Sequence, residues 1–128
     1  YKIDRLSIAL SEAINRGVAI RMFMEVEKTQ SPDIHKLYGG FLANNISFYI
    51  WSDSQRLRSD NGRHGVLHAK TVVADSQQLF ISSANLTEYA MSINIELGLL
   101  VGGGKLPSQV EHILDDYIVQ NVFTQHVI

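Results

Sequence analysis

The sequence predicts an α/β fold: a mixed β-sheet flanked by helices on both faces. Three observations carry that expectation. Segments with helical and strand-like apolar patterns alternate through the first 51 residues. A turn-separated pair of strands follows at 66–82. The chain has 128 residues, 45% hydrophobic, which suits one globular domain with its own core.

The elements follow in order. Ile3, Leu6, Leu10, Ala13 and Ile14 fall on one face at helical spacing, so residues 3–16 read as an amphipathic helix. Arg16 and Gly17 supply its stop signal. Val18 to Met24 reads as a buried strand. Ser31 as cap and Pro32 at the first position open a second helix, running to about Ala43. Ile46 to Trp51 is a strand of aromatic and β-branched residues. Residues 52–65 are polar and charged, and read as a loop. Val66 to Ala74 alternates as a strand, which places His68 and Lys70 on one face, two residues apart. Asp75 to Gln78 forms a hairpin turn, and Leu79 to Ser82 returns beside it. Asn85 to Met91 reads as irregular or briefly helical. Ile93 to Val101 is a strand ended by Gly102, Gly103 and Gly104. Pro107 to Val119 is the last helix, with Val110, Ile113, Leu114 and Tyr117 on its apolar face.

Composition bounds the function. There is no cysteine, which excludes disulfides and thiolate metal sites. No apolar run reaches 18 residues, so no membrane span is expected. No signal-peptide pattern is visible, and a cytoplasmic protein is expected. The chain opens on Tyr1, which suggests a domain cut from a longer protein. The net charge of −2 argues against a protein that coats nucleic acid. Arg56, Arg58, Arg63 and His64 nevertheless cluster just before His68, and could hold phosphates of a substrate. The competing reading is a solvated polar loop. Tyr49 and Trp51 could stack on a base, or pack in the core.

One stretch concentrates chemistry. His68, Lys70, Asp75, Ser83 and Asn85 lie within 18 residues. A neutral imidazole can attack phosphorus and form a covalent intermediate. Lys70 can neutralise the non-bridging oxygens, and Ser83 and Asn85 can add neutral donors. Such groups suit phosphodiester cleavage with neither metal nor cofactor. A histidine nucleophile also needs its tautomer fixed, normally by a carboxylate. Glu96, in a stretch otherwise apolar, is the candidate. Five residues at fixed spacing occur by chance on the order of once per few million positions.

The spacing resembles the HxK-x4-D-x6-GSxN signature of the phospholipase D superfamily, with Ser82 where Gly is usual. The resemblance extends to Arg16-Gly17-Val18-Ala19-Ile20-Arg21, similar to a helix-to-strand junction of that family. Ser82 to Thr87 and Asn94-Ile95-Glu96-Leu97-Gly98 resemble the phospholipase D-like proteins of DISARM-type phage-defence systems.

The resemblance implies an α-β-α sandwich and a phosphodiesterase working through a phosphohistidine. It puts Asp75 in the catalytic signature, although a strand-ending aspartate reads as structural. It implies a glutamate contact to the histidine. It also implies two copies of the motif, one histidine attacking and one protonating the leaving oxygen. This chain has one copy: His35, His64, His112 and His126 lack a lysine two residues on. A homodimer or a second half in a longer chain would supply the other. Expected partners are nucleic acid, DNA favoured, and subunits of a defence complex. Phospholipase or phosphatidyltransferase chemistry is the alternative, and a non-catalytic binding module a third.

Overall fold

A computed structural model describes residues 4–26, 33–85 and 93–127. The chain divides into two compact units, Tyr1–Leu67 with Val122–Ile128, and His68–Asn121. The α/β class of the sequence reading holds, with the strands in two three-stranded sheets.

The first unit opens with α1, Asp4–Asn15. The chain leaves it at Arg16-Gly17, where the Val18 N–H returns to the Ala13 carbonyl at 3.0 Å. That bond spends Val18 on the helix end, so β1 runs Ile20–Glu25 rather than from Val18. The helix expected from Ser31 to Ala43 is two helices, α2 (Ile34–Tyr38) and α3 (Gly40–Asn45). Gly39 between them has φ +81°, a conformation no helix interior allows. The side chain of Asp33, rather than Ser31, caps α2 by accepting the Lys36 N–H at 3.0 Å. Ser31 and Pro32 lie outside the described residues.

β2, Ile46–Trp51, runs parallel to β1 with Ile20 beside Ile46. Strand β6, Thr124–Gln125, pairs antiparallel on its other edge. One face of β2 carries Ile46, Phe48 and Ile50, all buried. Ile46 and Phe48 join Ile34, Leu42 and Ala43 in the core, packed by Leu10, Ile14, Met22 and Tyr38. Tyr49 and Trp51 alternate to the other face and pack as core aromatics: Tyr49 stacks on Phe23, and Trp51 lies against Phe123.

The second unit is the antiparallel sheet β3 (Thr71–Ala74), β4 (Gln78–Ser82) and β5 (Gly98–Gly102). Leu79, the second residue of β4, is fully buried. Helix α4, Leu106–Val119, packs on this sheet with Pro107 in its first turn. Ile113 and Tyr117, read as core-facing, are largely exposed. The strands are shorter than expected: residues 66–70 and 93–97 are not in the ladder. Gly98 sits so close to Phe80 that an added Cβ would meet the ring at 2.7 Å. The irregular segment expected from Asn85 to Met91 falls mainly outside the described residues. No helix among the described residues is long and apolar enough to cross a membrane.

Candidate active site

The motif residues all fall in the second unit. His68 and Lys70 precede β3, so a shared strand face does not explain their spacing. Lys70 is instead tied by its backbone: the Ser82 N–H donates to its carbonyl at 3.0 Å. Lys70 Nζ donates to the His68 carbonyl at 2.8 Å. The lysine therefore folds back over the histidine backbone.

Beyond Ser82 the chain turns towards the segment before β5. The Ser83 N–H donates to the Leu97 carbonyl at 3.0 Å, and the Leu97 N–H donates back to Ser83 Oγ at 3.1 Å. Ser83 Oγ in turn donates to Glu96 Oε2 at 2.5 Å. Asn94 Nδ2 donates to the other carboxylate oxygen at 3.3 Å. Glu96 thus bonds to Ser83 and Asn94, and among the described residues it makes no bond to the His68 ring. His68 and Asn85 are exposed. Cation, hydroxyl and carboxylate come from three neighbouring segments at one end of the sheet.

Ser82 keeps an ordinary strand conformation, since the non-glycine residues of positive φ are Asp75, Ser76 and Asn121 among those described. A serine at this glycine-type position is therefore unstrained. Its Oγ accepts the Ala84 N–H at 3.0 Å, a bond glycine cannot make.

Asp75 is elsewhere. It occupies the β3–β4 turn at φ +55°, closed by the Gln77 N–H on the Ala74 carbonyl at 3.0 Å. The register puts it at the opposite end of β3 from Lys70. A cavity of about 380 Å³ lined by Asp75, Gln78 and Gly103 lies at that same far end. Asp75 is thus a turn residue in this fold and is not brought together with His68.

The four residues read as phosphate-binding lie in the first unit. The Arg56 side chain is wholly buried and cannot reach a substrate. Its Nη2 donates to the Val26 carbonyl at 2.6 Å, and Nη1 contacts His64 Nδ1 at 3.2 Å. Arg58 pairs with Asp53 at 2.9 Å and stays half exposed. His64 Nε2 lies 3.8 Å from the same carboxylate. Arg63 is exposed. Of the four, Arg58 and Arg63 face solvent.

Sequence reading missed Glu25. Its Oε2 accepts the Leu67 N–H at 2.5 Å, across 42 residues. A carboxylate just beyond an apolar strand was the available signal. Among the described residues, no group of three or more acidic or imidazole side chains is arranged to hold a metal ion.

The family described as "Cardiolipin synthase, PLD-like domain" matches residues 3–118. The DISARM protein DrmC of Bacillus paralicheniformis is 30% identical over 121 residues, covering 94% of this chain and 47% of that protein. Cardiolipin synthase A of Pseudomonas syringae is 32% identical over 113 residues, 87% of this chain and 22% of that protein. The chain thus spans about half or less of the curated relatives it matches. The crystal structure of Nuc from Salmonella typhimurium, a phospholipase D family member, superimposes with a TM-score of 0.66 at 18% identity. That match covers 100% of this chain and 77% of the other.

Proposed function

The chain belongs to the phospholipase D-like family, a family of phosphodiesterases, and from that premise we propose that it cleaves nucleic-acid phosphodiester bonds through His68, without a metal ion. The observation that supports this reading is that the Lys70 backbone is bonded to Ser82 while the adjacent Ser83 is bonded to Glu96, which draws three segments of the signature to one end of the sheet.

In the reaction, a ring nitrogen of His68 attacks phosphorus. A P–N bond forms and the P–O bond to the leaving group breaks. The leaving oxygen takes a proton from a second histidine. Water then gives a proton to that histidine and attacks phosphorus, and the P–N bond breaks to free His68. Lys70 and Asn85 stabilise the charge on the non-bridging oxygens. Ser83 spends its proton on Glu96, so its part is to fix that carboxylate. The second histidine comes from a second copy in an isologous dimer, or from another half of a longer chain. Arg58 and Arg63, exposed in the first unit, are the proposed contacts to nucleic-acid phosphates. The likeness to a DISARM protein supports a role in phage defence, alongside other subunits.

A second reading, phosphatidyl transfer, has its own observation. Ile93, Ile95 and Leu97, which flank Glu96, are 69%, 103% and 82% exposed. An apolar rim of that kind suits a lipid substrate, and several relatives are cardiolipin synthases.

Labelled single- and double-stranded DNA and phosphatidylglycerol vesicles, each in excess EDTA, test both readings with wild type and His68→Asn. DNA cleavage by wild type alone is the expected result. Turnover of lipid alone overturns it in favour of the second reading. DNA binding without turnover overturns both in favour of a non-catalytic module.

A further inference from the structure

We propose that Asp53 is a resident competitor for the phosphate contact at Arg58. The hairpin of residues 57–65 then binds nucleic acid by displacing a carboxylate that the chain itself supplies. The proposal rests on the nucleic-acid reading above and concerns the first unit alone.

The segment that reads as a solvated loop is ordered. The Ser59 N–H donates to the Arg63 carbonyl at 2.7 Å, and the Gly65 N–H donates to the Leu57 carbonyl at 2.9 Å. Those two bonds flank Arg58 and His64, which pair antiparallel. Arg58 and His64 are thus opposite each other without bonding directly, the kind of pair whose side chains stand closest and on one face. Gly62 at φ +81° lets the chain reverse between them.

One carboxylate faces the pair. Arg58 Nη2 donates to Asp53 Oδ2 at 2.9 Å, and His64 Nε2 lies 3.8 Å from Oδ1. The Arg56 N–H donates to the Asp53 carbonyl at 3.2 Å, which puts the aspartate one tight turn before the hairpin.

A carboxylate and a phosphate offer a guanidinium the same kind of acceptor, so Asp53 and a substrate phosphate compete for one fork. The closed form is weak. The Arg58 side chain is 47% exposed, and ion pairs in contact with solvent contribute little. Asp53 Oδ1 is buried with no hydrogen-bond partner among the described residues, which further weakens the closed form. An arginine that exchanges its own carboxylate for a phosphate brings no net charge to the nucleic acid. It therefore adds little to counterion release.

Binding of labelled single-stranded DNA to the full chain is measured in excess EDTA across a salt series, in a His68→Asn background so that the DNA is not consumed. Asp53→Asn should tighten binding about three- to tenfold at about 50 mM salt and steepen the log–log salt slope by about one. Asp53→Ser, also neutral, should do the same. Asp53→Glu keeps the charge and should stay within about twofold of the parent. Asp60→Asn removes the same charge from an exposed position of the same hairpin, outside the ion pair. It should change affinity less than about twofold at an unaltered slope. In an Arg58→Gln background the gain from Asp53→Asn should vanish.

Unchanged or weaker binding in Asp53→Asn overturns the proposal, the weaker case in favour of a carboxylate that holds Arg58 ready for phosphate. Equal gains in Asp53→Asn and Asp60→Asn, or a gain that survives Arg58→Gln, overturn it in favour of bulk charge. A gain for phosphatidylglycerol vesicles with none for DNA, or no DNA binding by any variant, overturns the nucleic-acid reading and the proposal with it.

Discussion

Ser83 Oγ donates to Glu96 Oε2 at 2.5 Å and at the same time accepts the Leu97 N–H at 3.1 Å. One hydroxyl thus joins the end of β4 to the segment before β5 and fixes the direction of the carboxylate. Both halves are lost in Ser83→Ala, and one is lost in Glu96→Ala. Ser83→Ala should destabilise the fold by about 1 kcal/mol. The two changes together should cost less than their sum, which a double-mutant cycle by denaturant unfolding measures. Turnover should fall in each, because the carboxylate loses its fixed position in one and is absent from the other.

Ser82→Gly would restore the residue usual at that position of the signature. The serine is unstrained and its Oγ caps the Ala84 N–H. Glycine gains no backbone relief there and adds unfolded-state freedom, so it should destabilise the chain by about 1 kcal/mol. A lower urea midpoint at unchanged slope is the expected readout.

Asp75 at φ +55° should tolerate asparagine or glycine and reject a β-branched residue. Asp75→Val should cost about 1–3 kcal/mol, while Asp75→Gly should be near neutral. Thermal unfolding of the pair checks this.

The family was legible because its signature is carried by residue types at fixed spacing. The α/β class was legible as well, since most of the apolar periods overlap an element. What the sequence could not show was which groups meet. The alternation of 66–74 is strand-like, yet only Thr71–Ala74 has a partner strand. Arg56 reads like any loop arginine until the Val26 and Gly65 carbonyls close on it. Glu96 was legible as a carboxylate in need of a partner, but the partner the fold provides is Ser83. Contacts between distant segments decide such matters, and periodicity carries no information about them.

Burial raises the pKa of the Tyr38 phenol, which packs against Phe48 in the first unit. The fold favours the neutral form. In the unfolded chain the phenol ionises near its ordinary value of about 10. Stability from this group is therefore complete below that value and is lost as pH rises through the higher folded value. Tyr38→Phe should remove this part of the alkaline loss, seen as a shallower fall in Tm above about pH 10.

The central claim is that His68 carries the phosphoryl group. The most direct measurement is peptide mapping by mass spectrometry after a rapid base quench of wild type turning over a DNA substrate. The expected result is an acid-labile phosphoryl adduct on the peptide containing His68, absent from His68→Asn. An adduct on Ser83, stable to acid, or steady turnover with no adduct on any residue, would contradict it.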